Sequence, residues 1–324
     1  MIFRWIPTEV AWALASIVAA LAVASAAVAV LRKRKPDSDF TELIARVRTW
    51  WVIVLLFGGA MLLGRYPMLA FFAVVSFLAL REYLRLMPTR AADQSVLVWA
   101  YASIPIQYAL VGIGFYEMFI IFVPVYVFMA LPIRAMIVGQ TAGFVDAMAR
   151  LHWGLMVTVF SMGHTAYLLA FAPYASPRVA PAWPSEFSST EPGPGLLLLV
   201  VLLTQTNDVF QYLWGKSIGR RRVVPTVSPN KTWGGLVGGV ASTILLAGLI
   251  GPVLTLLDLP RALLAGMLIG IGGFFGDLSM SALKRDRGVK DSGDTLPGHG
   301  GVLDRVDSLS YTAPIFFHYV YFLY

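Results

Sequence analysis

The chain has no cysteine among its 324 residues. That excludes disulfide frameworks, thiolate zinc sites and cysteine nucleophiles. It is also poor in charge. Asp, Glu, Lys and Arg make up 13% of it, where a soluble domain runs at about 25%. Hydrophobic residues make up 58%. So few polar side chains cannot clothe a water-facing surface, which excludes a soluble enzyme, a disordered chain and a small secreted scaffold. What is left is an all-α, polytopic transmembrane helical bundle. The longest polar stretches run about 20 to 25 residues, too short to bury a core of their own.

A membrane-spanning helix needs about 20 mostly apolar residues. Ten stretches qualify or come close: 6–31, 50–64, 68–80, 97–115, 118–133, 154–174, 195–214, 233–257, 262–282 and 308–324. They predict about nine or ten spans. The short pair 50–64 and 68–80, hinged at Gly64-Arg65-Tyr66-Pro67, fits two spans or one re-entrant hairpin. The first stretch lacks a small-residue cleavage site and is followed by Arg32, Lys33, Arg34 and Lys35, so it reads as an anchor. Residues 40–50 set Arg46 and Arg48 among Leu43, Ile44 and Val47, the pattern of a short interfacial helix. With the N-terminus outside, the loops 32–49, 81–96, 134–153, 215–232 and 283–307 face inward and carry 21 of the 25 Lys and Arg residues. Basic residues mark the cytoplasmic side, so these loops are expected there. Two regions follow: 1–194, mostly anchor helices, and 195–324, where the chemistry gathers.

Six of the 18 acidic residues fall between 277 and 307: Asp277, Asp286, Asp291, Asp294, Asp304 and Asp307. Lys284, Arg285, Arg287, Lys290 and Arg305 share the stretch with Gly288, Gly293, Gly298, Gly300 and Gly301. Orientation by basic residues does not account for the acids. Carboxylates hold a divalent cation, bases neutralise phosphate oxygens, and glycines let backbone N–H groups come close. Asp277 ends an apolar run and shares a helical face with Ser281 and Lys284. An ionisable group in a span is a functional candidate by default. Its bland alternative is an ion pair with Lys284 or Arg285. Asp208 is a second such group, inside the polar patch 204–212. Then come Gly215-Lys216-Ser217, too incomplete for a Walker loop, and a basic turn with Ser228 and Lys231 that feeds a helix start near Thr232, suited to oxyanions. His152, His164 and His318 read as structural. His299 differs, set among Pro297, Gly298, Gly300 and Gly301.

Written out, the loop is Ser281-x-Leu283-Lys284-Arg285-x4-Lys290-Asp291-x-Gly293-x-x-Leu296-Pro297-x-His299-Gly300-Gly301-Val302-x-Asp304-Arg305-Val306-Asp307. It resembles the C-terminal signature of the phosphatidate cytidylyltransferases, or CDP-diglyceride synthases. The blocks Asn207-Asp208…Tyr212…Gly215-Lys216 and Ser228-Pro229-Asn230-Lys231-Thr232-Trp233 resemble the same family, so the likeness covers about 204–310. Residues 1–200 match only in hydropathy and in Arg81-Glu82. One position departs: Gly234 stands where the family usually has Glu.

The resemblance implies a bacterial inner-membrane enzyme that joins CTP to phosphatidic acid, releasing pyrophosphate, with Mg²⁺ and room for a second cation. It implies that Asp208, Asp277, Lys284, Arg285, Lys290, Asp291, His299, Asp304, Arg305 and Asp307 serve catalysis. Lys216, Ser228, Lys231, Ser281, Gly300 and Gly301 would bind substrate, and Asp277, Asp304 and Asp307 would ligate the metal. The expected partners are CTP, phosphatidic acid or a related lipid phosphate, and membrane lipids, with no nucleic acid; a homodimer stays open. Two rivals stay open as well: a CTP-dependent polyprenol or lipid kinase, and a membrane transporter using Asp208 and Asp277.

Overall fold

A computed structural model describes residues 5–36, 39–90, 93–171, 192–298 and 300–324. His299 and the connection 172–191 lie outside these described residues. The helices are α1 (Thr8–Arg34), α2 (Thr41–Leu63), α3 (Arg65–Leu86), α4 (Gln94–Ile113), α5 (Tyr116–Val138), α6 (Phe144–Ala170), α7 (Gly193–Ile218), α8 (Trp233–Leu254), α9 (Leu259–Asp286), α10 (Leu303–Val306) and α11 (Leu309–Leu323). Among the described residues, α1 to α9 are each long and apolar enough to cross a bilayer. The chain is an integral membrane protein. The tenth expected span is the shorter α11, of 15 residues.

Two expectations change. The 50–80 stretch is not a re-entrant hairpin, because α2 and α3 run 23 and 22 residues. Apolar runs understated both helices, whose ends carry polar residues. Gly64 makes the turn between them at φ 123, a conformation that favours glycine. Arg65 then donates to the carbonyls of Val111 (2.9 Å) and Gly112 (3.3 Å), capping the end of α4. Nor is 40–50 a separate interfacial helix; it is the first part of α2.

The basic loops meet at one end of the bundle. Arg90 donates to the carbonyls of Gln140 (2.9 Å) and Ala142 (2.7 Å), Thr49 Oγ1 to Pro297 O (2.7 Å) and Arg285 Nε to Val227 O (3.3 Å). At the other end Tyr116 stacks on Tyr321 at 4.4 Å, and Tyr324 OH donates to Leu256 O at 3.0 Å. Successive spans therefore alternate in direction, as the charge pattern predicts.

Without a hydrophobic force between helices in lipid, close packing needs small residues. The α8–α9 contact has them. A Cβ on Gly266 would stand 2.6 Å from Ala247 Cβ and 2.8 Å from Ile244 Cα. Gly266→Val is expected to cost about 1–3 kcal/mol by overpacking, read as a lower unfolding temperature in detergent; Leu264→Val, at a 41% exposed position, leaves it unchanged. Orientation has its own check. In the cysteine-free chain, single cysteines at the exposed positions Thr226 and Asp294 are expected to resist an impermeant maleimide in intact cells and react after permeabilisation. Labelling of intact cells would reverse the orientation.

Candidate active site

The glycines before Asp277 make one face of α9 smooth. A Cβ on Gly273 would meet Asn207 Nδ2 of α7 at 3.0 Å, and one on Gly276 would meet Asp307 O at 2.7 Å and Ser308 Cα at 3.0 Å. Asn207 uses the closeness, donating to Gly270 O at 3.2 Å and accepting from Thr243 Oγ1 at 3.0 Å. Thr204 and Thr312 bond across α7 and α11 at 2.8 Å. Buried polar pairs of this kind fix the register of apolar helices. The result brings Asp208 of α7, Asp277 of α9 and Asp307, in the break between α10 and α11, to one place.

Each carboxylate has its own contacts. Ser308 Oγ lies 3.1 and 3.0 Å from the two oxygens of Asp208. Asp277 Oδ1 accepts from Ser281 Oγ at 3.1 Å, so the predicted shared face is real. Its Oδ2 pairs with Lys231 Nζ at 2.8 Å, not with Lys284 or Arg285. Burial, then the carboxylates of Asp277 and Asp208, push the Asp307 carboxyl well above the usual range. A cavity of about 200 Å³ opens here, lined by Asp208, Gln211, Ser228, Lys231, Phe274 and Asp277 among others.

Asp304 sits elsewhere. It lies in the separate four-residue α10, turned into the signature loop. Its Oδ1 pairs with Lys284 Nζ at 2.7 Å. Its Oδ2 accepts from Ser292 N (2.8 Å), Ser292 Oγ (2.8 Å) and Gly301 N (2.9 Å). Burial opposes its ionisation, but Lys284 and these N–H donors outweigh burial and hold the carboxyl below the usual range. Gly301 thus gives its N–H to Asp304. Gly300, at φ 80, makes the turn, and a Cβ there would stand 2.7 Å from Asp304 Oδ2. Lys216, Arg285, Lys290 and Asp291 are exposed, and Arg305 is half-buried with a buried, unpartnered Nε.

Sequence reasoning missed Glu82. It stands near the end of α3, 2% exposed. Its carboxylate accepts from Leu303 N (2.8 Å), Thr295 Oγ1 (2.6 Å) and Ser292 Oγ (3.4 Å), all neutral donors. The signal was present in Arg81-Glu82, but its partners lie more than 200 residues away.

At the α7–α8 turn, Thr232 caps α8 by accepting from Gly235 N at 3.1 Å. A hairpin-like loop leads into it, with Val223 N donating to Lys231 O at 3.0 Å and Trp233 N to Arg221 O at 2.9 Å. A Cβ on Gly234 would stand 3.2 Å from Gly219 Cα and 3.3 Å from Ile218 O. The backbone of 218–219 therefore crowds a side chain at position 234, where the resemblance leads one to expect Glu.

A model of the cytidylyltransferase family matches residues 44–323. The chain belongs to the cytidylyltransferase family. It is 44% identical over 307 residues to YnbB of Escherichia coli (strain K12), described as uncharacterized, covering 95% of this chain and 97% of that one. It is 42% identical over 148 residues to the phosphatidate cytidylyltransferase of Synechocystis sp. (strain ATCC 27184 / PCC 6803 / Kazusa), covering 44% of this chain and 49% of that one. It is 42% identical over 120 residues to the phosphatidate cytidylyltransferase of Bacillus subtilis (strain 168), covering 36% and 43%. Against both phosphatidate cytidylyltransferases the match spans half or less of their length. This cytidylyltransferase-family membrane enzyme carries the loop between α9 and α10 on two buried carboxylates, Glu82 and Asp304.

Glu82→Gln puts an amide N–H₂ among donors. Unpaired buried groups cost about 1–3 kcal/mol, so the loop is expected to open about tenfold or more readily. Trypsin cleavage at Lys284, Arg285, Arg287 or Lys290 in detergent measures it; an unchanged cleavage rate contradicts the brace.

Proposed function

We propose that the chain condenses CTP with phosphatidic acid, or a related lipid phosphate, into CDP-diacylglycerol and pyrophosphate. We place the reaction at the cytoplasmic face of a bacterial inner membrane, where CTP is found and where the basic loops are expected to lie. Family membership supports nucleotidyl transfer. The observation that carries the rest is the cavity between α7, α8 and α9, which joins carboxylates and lysine at the basic end of membrane-spanning helices.

The lipid phosphate is already an anionic nucleophile. Its oxygen attacks the α-phosphorus of CTP, a P–O bond forms, and the α–β bridge breaks to release pyrophosphate. No strong base is required; the barrier lies in bringing two polyanions together and accepting the leaving charge. Lys231 and Ser228 at the cavity, and the exposed Lys216, Arg285 and Lys290, face that charge. His299 keeps its expected role in this proposal.

The residues at the cavity fit Mg²⁺. Among the described residues, no three His, Cys, Asp or Glu side chains stand close enough to enclose an ion by themselves. Mg²⁺ rarely asks that of a protein, since it takes one or two carboxylates and completes its shell with water and substrate phosphates. Asp277 and Asp208 supply such oxygens beside Asp307, whose carboxyl is raised by burial first and by those two carboxylates second. Asp304, with both oxygens engaged by Lys284, Ser292 and Gly301, serves in this reading as the loop's anchor. When bound, the ion would neutralise the triphosphate and the departing pyrophosphate.

The deciding experiment supplies purified protein with CTP, Mg²⁺ and a panel of lipid phosphates. Pyrophosphate is the expected product, whereas CDP would identify a kinase. Asp277→Asn is expected to lower turnover by several kcal/mol of transition-state stabilisation, leaving membrane insertion intact. UTP should compete about ten- to a hundred-fold less well than CTP, because donors matched to cytosine stay unpaired. Near-normal turnover in Asp277→Asn would remove that residue from the site.

A further inference from the structure

We propose that Lys231 is a resident counter-cation. It holds the acidic cluster together while no divalent ion is bound, and yields Asp277 when one binds. The inference rests on the reading of the cavity as a cation-assisted nucleotidyl-transfer site.

Three observations carry it. First, Lys231 Nζ lies against the Asp277 carboxylate, 2.8 Å from Oδ2, where a cation bound by that carboxylate would compete with it. The two side chains are 14% and 30% exposed, so the pair is partly shielded but reachable from the cavity. Second, its other contacts are softer: Gln211 Oε1 at 3.4 Å, the face of the Phe274 ring at 4.5 Å and the nearby charge of Asp208. Lys231 stands in the turn before α8, so its long stem can swing without moving a span. Third, Gln211 is 9% exposed, lines the same cavity, and has a buried Nε2 with no acceptor. A buried amide donor left unpaired is costly, and an oxygen entering the cavity as Lys231 moves aside would pair it. Phosphate oxygens of a nucleotide or of a lipid headgroup both qualify. They would also receive Lys231 after it leaves Asp277.

The arrangement answers an electrostatic need. Asp208 and Asp277 share one partly shielded site beside Asp307, and a positive charge on Asp277 offsets the crowding of carboxylates there. A single positive charge meets that need and still gives way to a double one. With a divalent ion and the triphosphate bound, Lys231 would leave the carboxylate for a phosphate oxygen.

Mn²⁺ binding, read by electron paramagnetic resonance on the purified full-length protein in detergent without nucleotide, tests this apart from turnover. Lys231→Met should bind Mn²⁺ about tenfold more tightly than the unaltered protein, the worth of one competing charge pair, while KM for CTP rises. Lys231→Cys, in a chain with no other cysteine, should also bind tightly. Alkylating it with 2-bromoethylamine rebuilds an ammonium of similar reach and should restore the weaker affinity, which separates charge from any folding defect. Mn²⁺ affinity that is unchanged or weaker in both variants overturns the proposal, even where the unaltered protein releases pyrophosphate from CTP and a lipid phosphate. Tighter Mn²⁺ binding without such release sustains the counter-cation and defeats the transferase reading.

Discussion

Close approach of α7, α9 and α11 along the glycines of α9 is the constraint on which the acidic end depends. Gly273 and Gly276 leave room for Asn207 and for the backbone of Asp307 and Ser308 where side chains would stand. In lipid such contact rests on packing and buried hydrogen bonds, with no hydrophobic gain from helix association itself. The price is charge crowding, because the same approach brings Asp208, Asp277 and Asp307 into one field. Burial, and then that crowding, raises the carboxyl of Asp307. In the proposed reaction, such a site would attract the cation that accompanies a triphosphate.

The signature loop is built on a different principle. Glu82 and Asp304 are buried carboxylates that collect loop donors, much as a bound anion would. Asp304 takes N–H groups from Ser292 and Gly301, and Glu82 takes one from Leu303. Charge-assisted hydrogen bonds of this kind are among the stronger ones in proteins. They fold a glycine-rich segment without secondary structure of its own and fasten it to α3. The N-terminal region is therefore more than an anchor, since one of its helices supplies the loop's central acceptor. Across the cavity Lys231 pairs with Asp277 through a side chain alone, from the turn before α8.

Much of this was legible in the residues. Hydropathy and the distribution of Lys and Arg determined a polytopic bundle with its basic loops at one end, because a bilayer demands long apolar helices and membrane insertion sorts positive charge. The i, i+4 spacing of Asp277 and Ser281 determined their contact, and Thr232 determined the start of α8, because both are local rules of helix geometry. The signature spacing pointed to the family. Helix ends were misjudged at 50–80 because polar residues sit within helices there.

Only the tertiary structure decided the partners. That Asp277 pairs with Lys231, 46 positions earlier in the chain, that Asp304 turns away from Asp307, and that Glu82 reaches a loop more than 200 residues on are facts of helix packing. Periodicity within a helix says which face a residue occupies. It says nothing of what another helix brings to that face, because that depends on the few places where glycine lets two backbones meet.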